Sequence, residues 1–123
     1  MNFLIVDDSP IMRRIVINAL KANGYESCLE AEDGRQGYEV LKSKQIDFVN
    51  TDWNMPVMTG LELVLAIRKD ENLKNLPVLM ITTRGAKEDI LNALKAKVNN
   101  YLIKPFTPNL LKEKIQTIFD AVN

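Results

Sequence analysis

The stretch NTDWNMP, residues 50–56, decides how the rest of this chain is interpreted. It follows a segment typical of a β-strand, residues 46–49, and Pro56 and Gly60 then require a loop before the next apolar repeat. A carboxylate at the end of a buried strand lies at the edge of the sheet, where open α/β folds bind their ligands. Asp52 is therefore the first candidate functional residue.

Strand patterns alternate with helix patterns along the whole chain. Short apolar runs predict five strands, at residues 3–6, 25–31, 46–52, 78–83 and 101–103. The second strand is interrupted by Glu26 and Glu30, which predicts a place at the sheet edge. Because strands and helices alternate, right-handed crossovers and a mainly parallel sheet covered on both faces are expected. The chain is thus predicted to be a doubly wound α/β protein.

Five helices are predicted between and after these strands. The first has an N-cap residue followed by proline, Ser9-Pro10, and a stop at Gly24. Asp33-Gly34 begins the second helix, and the fifth starts at about Pro108. The fourth helix is predicted from apolar residues at helical spacing, which are Ile90, Leu91, Ala93, Leu94 and Val98.

Composition limits the class of protein. The 123 residues suit one domain, 1–123, without a linker or repeat. The chain has 16 Lys and Arg and 16 Asp and Glu, so its formal net charge is zero. This balance argues against a nucleic-acid partner bound by bulk electrostatics.

The chain has one cysteine, Cys28, and no histidine. Thiolate and imidazole metal sites and Ser-His-Asp chemistry are therefore excluded, and a single thiol fits a reducing cytoplasm. No signal sequence or membrane-spanning run is present, so a cytoplasmic protein is expected. If the chain performs covalent chemistry, carboxylates are the best candidates.

Four of the five predicted strands end in polar residues, which are Asp7-Asp8, Asp52, Thr82-Thr83 and Lys104. The carboxyl ends of parallel strands share one edge, so these residues are expected to converge. Two like charges about 4 Å apart repel by about 4 kcal/mol at an effective dielectric near 20. Because Lys104 cannot balance three carboxylates, a hard divalent cation such as Mg²⁺ is expected. Such a site suits phosphoryl transfer, with Asp52 as nucleophile and Thr82 as a hydroxyl donor.

The chain resembles the receiver domains of bacterial two-component response regulators, most closely the stand-alone chemotaxis members. The motifs that carry the resemblance are VDDS (6–9), TDWNMP (51–56), IT (81–82) and YLIKPF (101–106). This family has the flavodoxin-like strand order 2-1-3-4-5, so that order is taken from the resemblance and not from the sequence pattern.

The resemblance also implies roles for individual residues. Asp52 would accept a phosphoryl group from a chemotaxis histidine kinase. Mg²⁺ would be held by Asp8, Asp52 and the backbone carbonyl of Asn54, with Asp7 acting mainly through a water. Lys104 would contact the phosphoryl group, and the peptide bond that follows it, to Pro105, would be cis.

A switch is implied as well. Thr82 would move toward the phosphoryl group and Tyr101 would rotate inward. The fourth helix, fifth strand and fifth helix would then present a partner face to the flagellar motor switch protein. The residues of that face are Tyr101, Ile103, Phe106 and Lys114. The resemblance implies a monomeric signalling protein that slowly loses its phosphoryl group, with a phosphatase as a further partner, and not a turnover enzyme.

Four departures from the family pattern leave phosphate lifetime and partner identity open. Thr83 replaces the more common Ala or Gly, and Arg84 places a cation after it. Thr59 replaces the usual Asn or Asp before Gly60, and residues 97–100 lack the usual Gly.

Other functions remain as alternatives at this point. A phosphorelay intermediate or a phosphate sink would use the same chemistry with a different output. A phosphohydrolase of the haloacid dehalogenase type needs D-x-D after the first strand, which Asp7-Asp8-Ser9 does not match. A flavin-binding electron carrier needs a phosphate-cradling loop rich in Ser, Thr and Gly there, and the two aspartates would repel a phosphate unless a metal is bound.

Overall fold

Five strands and five helices alternate in the computed structural model, which describes residues 1–122 and only the backbone of Val122. Asn123, the last residue of the predicted domain, lies outside the described residues. The strands are β1 Asn2–Val6, β2 Ser27–Ala31, β3 Phe48–Thr51, β4 Val78–Thr82 and β5 Asn100–Ile103. The helices are α1 Pro10–Ala22, α2 Gly34–Ser43, α3 Gly60–Lys69, α4 Lys87–Lys95 and α5 Pro108–Val122.

All strands are parallel, in the order β2-β1-β3-β4-β5. The doubly wound, flavodoxin-like sheet expected from the sequence is therefore confirmed, with β2 at one edge. In the register, Val6 pairs with Thr51, so the residues that follow β1 and β3 emerge side by side. This pairing places Asp7 beside Asp52.

The sheet separates two apolar cores. Helices α1 and α5 cover one face, where Phe3, Phe48 and Leu111 are fully buried. Helices α2, α3 and α4 cover the other face, where Leu4 and Leu63 are fully buried. Both faces of the central strands are thus buried, as expected for a parallel sheet with helices on both sides. Among the described residues, no helix is both long and apolar enough to cross a membrane.

The predicted helix starts are confirmed by their caps. The Ser9 hydroxyl accepts a hydrogen bond from the Met12 N–H at 3.2 Å, and Pro10 occupies the first helical position. At the start of α2, the Asp33 carboxylate accepts from the Gln36 N–H at 2.8 Å. These bonds satisfy backbone donors that a helix leaves free at its N-terminus.

The fourth helix is shorter than predicted. It ends at Lys95, and Val98 lies in the following loop although it is buried. The chain leaves the helix because Lys97 adopts a positive φ of 72°. The Val98 N–H then donates to the Ala93 carbonyl at 3.2 Å, so its apolar side chain packs from a loop.

Several strand boundaries also differ from the prediction. Strand β2 begins at Ser27, because the Tyr25 N–H donates to the Leu20 carbonyl at 2.9 Å and completes the end of α1. Strand β3 begins at Phe48, because the preceding Asp47 forms hydrogen bonds with Asn2, the first residue of β1. Its carboxylate accepts from the Asn2 N–H, and its own N–H donates to the Asn2 carbonyl. The C-terminal ends of β3 and β4, at Thr51 and Thr82, lie one residue inside the predicted bounds.

Candidate functional site

Three carboxylates meet at the carboxyl edge of the sheet. One oxygen each from Asp7, Asp8 and Asp52 lies within 4.8 Å of the others. Asp7 is buried, Asp52 is half-buried and Asp8 is exposed. The convergence predicted from the strand ends is therefore present, and it opens to solvent on the side of Asp8.

Lys104 supplies the cation of this cluster. Its Nζ lies 2.8 Å from Asp7 Oδ2 and 3.3 Å from Asp52 Oδ2, and its side chain is only 8% exposed. The following peptide bond, to Pro105, is cis, as the resemblance implies. One ammonium against three carboxylates leaves an excess of negative charge. Oxygen donors that carry an uncompensated negative charge suit a hard cation such as Mg²⁺.

The two inner carboxylates are held in fixed orientations. Asp7 Oδ1 accepts from the Ser9 N–H at 2.9 Å, while its other oxygen faces Lys104. Asp52 Oδ1 accepts from the Trp53 N–H at 2.7 Å, while its other oxygen also faces Lys104. Each carboxylate therefore has one oxygen bound to the backbone and one directed at the shared ammonium.

Helix α3 begins directly against the loop that carries Asp52. The Gly60 N–H donates to the Trp53 carbonyl at 2.8 Å, and a β-carbon at Gly60 would overlap the Asp52 carbonyl. Thr59 caps this helix, because its hydroxyl accepts from the Glu62 N–H while the Glu62 carboxylate accepts from the Thr59 N–H. The unusual Thr59 thus serves as a helix cap.

Thr82 ends β4, the neighbour of β3, and Tyr101 lies on the adjoining β5. Thr82 is fully buried, and its hydroxyl oxygen accepts from the Arg84 N–H at 3.3 Å. Tyr101 is buried, and its hydroxyl donates to the Arg84 carbonyl at 2.7 Å. Burial, with Asp89 as a second cause, raises the pKa of Tyr101 to about 12. The ring is therefore directed inward in this structure.

The contacts of Arg84 were not foreseen from the sequence. Its guanidinium carbon lies 4.5 Å from the centre of the Trp53 ring, and its Nε donates to Asn54 Oδ1 at 3.1 Å. Asn54 is exposed, and its side-chain oxygen accepts this hydrogen bond from Arg84. The sequence shows only that a cation, Arg84, follows Thr82 by two residues. Where its side chain points depends on how the loops after β3 and β4 pack against each other.

The predicted partner face is partly apolar and open. Ile103 is 38% exposed, Phe106 is half-buried, and Lys114 Nζ lies 3.4 Å from Asn100 Oδ1. Helix α4 adds two exposed leucines that were predicted only as part of a helical repeat, Leu91 and Leu94. The face therefore carries more exposed apolar surface than its candidate residues alone indicate.

Comparisons with known proteins agree with this geometry. The family model described as "Response regulator receiver domain" matches residues 3–116. Chemotaxis protein CheY of Pseudomonas aeruginosa is 50% identical over 123 residues, covering 100% of this chain and 99% of the relative. Chemotaxis protein CheY-3 of Vibrio cholerae is 52% identical over 122 residues, covering 99% and 94%. The solved structure of chemotaxis response regulator CheY4 of Vibrio cholerae is 35% identical, with a TM-score of 0.87 and coverage of 95% and 97%.

Proposed function

Because this chain belongs to the family of response regulator receiver domains, we propose that it accepts a phosphoryl group on Asp52 from a histidine kinase during chemotaxis. The observation that supports this most is the cluster of Asp7, Asp8 and Asp52 around Lys104. Its relatives with about half of their residues identical are chemotaxis proteins, which favours that pathway.

The chemical step is a transfer between two nucleophiles. The Asp52 carboxylate attacks phosphorus, the P–N bond to the kinase histidine breaks, and an acyl phosphate forms as the imidazole leaves. The Lys104 ammonium, which faces Asp52 Oδ2, offsets negative charge on the phosphoryl oxygens. The Thr82 oxygen accepts from Arg84, so its own hydrogen remains free to donate to a phosphoryl oxygen.

The acidic residues would hold Mg²⁺. Asp8, Asp52 and the backbone carbonyl of Asn54 are the proposed ligands, with Asp7 acting through a water. When bound, the ion supplies positive charge to the phosphoryl oxygens that Lys104 alone cannot balance. The fit rests on the oxygen-only donor set and on the excess of carboxylates over cations.

The proposed output is binding to a flagellar motor switch protein in the cytoplasm, with this protein acting as a monomer. The exposed apolar residues Leu91, Leu94 and Ile103, with Phe106 and Lys114, provide a surface for such a partner. A phosphoryl group adds roughly −1.5 to −2 charge, which can bias the position of Thr82 and Tyr101 behind this face. A phosphatase that removes the group is a further proposed partner.

Intact-mass spectrometry after incubation with acetyl phosphate and Mg²⁺ tests the acceptor. The wild-type protein is expected to gain one phosphoryl group, and Asp52→Asn is expected to gain none. Asp120→Asn, which changes an exposed carboxylate on α5, is the matched control and should be phosphorylated like the wild type. Undiminished phosphorylation of Asp52→Asn would contradict the proposal.

Capture of a motor switch protein tests the output separately. The phosphorylated form is expected to retain more of this partner than the unphosphorylated form. Retention by neither form would instead favour a phosphorelay intermediate or a phosphate sink, which share the chemistry but not the motor. Equal, strong retention by both forms would contradict an output controlled by phosphorylation.

A further inference from the structure

The side chain of Arg84 joins three segments of the chain. Its guanidinium covers the Trp53 ring at 4.5 Å, and its Nε donates to Asn54 Oδ1 at 3.1 Å, both in the loop after β3. Its terminal nitrogen NH1 lies 3.2 Å from Asp89 Oδ1, in the first turn of α4. We call this set of contacts the Arg84 clamp. It fixes the loop after β4 against the loop that carries Asp52.

The backbone of Arg84 contacts both residues of the proposed switch. Its N–H donates to the Thr82 hydroxyl oxygen at 3.3 Å, and its carbonyl accepts from the Tyr101 hydroxyl at 2.7 Å. The residue whose side chain is held on the Asp52 loop therefore also carries the acceptor for Tyr101. The clamp and the switch share one residue.

The Tyr101 hydroxyl needs this acceptor in order to remain inside. The residue is only 7% exposed, and a buried hydroxyl without a hydrogen-bond partner is costly. If the loop after β4 moved away, the Arg84 carbonyl would move with it, and an outward ring with a hydrated hydroxyl would be favoured. The inward arrangement thus depends on the position of the loop.

We propose that Arg84 is a positioning residue that holds Tyr101 inward before any phosphoryl group reaches Asp52. The unphosphorylated protein would then already populate the ring position that the switch uses, and phosphorylation would shift a smaller remaining fraction. The meaning of this position for a partner rests on the proposed function. None of the contacts of the clamp involves a phosphoryl group or a metal ion.

The test uses ¹⁹F NMR of the protein labelled with 3-fluorotyrosine. The chain has three tyrosines, so three resonances are expected, and Tyr101→Phe identifies the one from Tyr101. Exposure of the ring is measured as the change in its chemical shift between H₂O and D₂O. Without any phosphodonor, the wild-type Tyr101 resonance should show the small solvent effect of a buried ring.

Arg84→Met removes the guanidinium but keeps an unbranched side chain of similar length. We expect the ratio of inward to outward Tyr101 to fall about tenfold or more in this variant. Asp89→Asn should shift the ratio in the same direction by less, because only one contact of the clamp is weakened. Lys87→Met, which removes an exposed cation from the start of α4, is the matched control and should resemble the wild type.

An unchanged Tyr101 ratio in a folded Arg84→Met variant would overturn the inference. A wild-type Tyr101 with the solvent effect of an exposed ring would overturn it as well. Phosphorylation by acetyl phosphate is followed by intact mass in the same samples. Failure of the wild type to be phosphorylated would count against the proposed function and leave the NMR result on the clamp unaffected.

Discussion

Val57 has an unfavourable backbone conformation in the loop that follows Asp52. Its φ is 68°, and the Met58 N–H donates across it to the Pro56 carbonyl at 2.7 Å, which closes a three-residue turn. A β-branched residue at positive φ is a rare combination, because its side chain crowds the backbone. The side chain of Val57 is exposed, so packing does not offset this cost. Local strain of this kind occurs most often at functional sites.

We expect Val57→Gly to stabilise the protein by about 1 kcal/mol, because glycine has no β-carbon to crowd the backbone at positive φ. Urea unfolding measures this change. Val57→Ala is the matched control: alanine keeps the β-carbon, so it should gain clearly less than glycine. Equal gains from both substitutions would show that the turn is not the source of the effect.

At the scale of single residues, the sequence identified the side chains of the candidate site but not all of their contacts. Asp7, Asp8, Asp52 and Lys104 could be assigned to one edge because each follows a strand. The contacts of Arg84 could not be assigned, because they depend on two loops whose conformations the strand pattern leaves undetermined.

Helices α2 and α3 are linked at the edge of the sheet opposite the candidate site. Asp70 follows the last residue of α3, and its Oδ2 accepts from Lys42 Nζ and from the Tyr38 hydroxyl, both at 2.7 Å. The hydrogen bond from Lys42, and then that from Tyr38, lower the pKa of Asp70 from 3.8 to about 2.

This lowered pKa predicts how the stability of the folded protein changes at acidic pH. Because the folded pKa of Asp70 is below its ordinary value of 3.8, the stabilisation is complete above that pH and is lost as the pH falls toward 2. We expect Asp70→Asn to remove this part of the acid dependence, as measured by urea unfolding between about pH 5 and pH 2. Identical pH profiles for Asp70→Asn and the wild type would contradict the link.

At the scale of elements, strands, helices and caps were predicted well, and the errors have long-range causes. Helix α4 ends early because Lys97 turns into a positive φ, and its carbonyl accepts from Arg68 Nε at 3.0 Å and from a terminal Arg68 nitrogen at 2.8 Å. Arg68 lies on α3, 29 residues earlier in the chain. A periodic pattern of apolar residues cannot reveal a boundary that is fixed from such a distance.

For the molecule as a whole, the acidic cluster predicts a stability that depends on metal. Mg²⁺ that binds the folded state alone adds about 2.7 kcal/mol at a concentration 100 times its Kd. We expect the thermal midpoint to rise on addition of Mg²⁺ and to return to its starting value with EDTA. Asp8→Asn should reduce the rise, because Asp8 is the exposed carboxylate of the cluster, whereas Asp120→Asn should retain it. A midpoint insensitive to Mg²⁺ would contradict a metal site.

Much of the overall architecture follows from the sequence. The alternation of strands and helices predicted a parallel sheet and the convergence of its polar ends. The strand order came from the family resemblance, because alternation alone does not determine which strands are neighbours. The inward position of Tyr101 could not be predicted, because both arrangements of the proposed switch are compatible with the same sequence.

Locating the phosphoryl group among the three clustered carboxylates is the most direct test of the central claim. Treatment with acetyl phosphate and Mg²⁺, followed by borohydride, reduces an aspartyl phosphate to homoserine. Peptide mass spectrometry then identifies the modified residue. The mark is expected on Asp52, because it is more exposed to solvent than the buried Asp7 and, unlike Asp8, has one oxygen facing Lys104. A mark on Asp7 or Asp8, with Asp52 unmodified, would contradict the assignment.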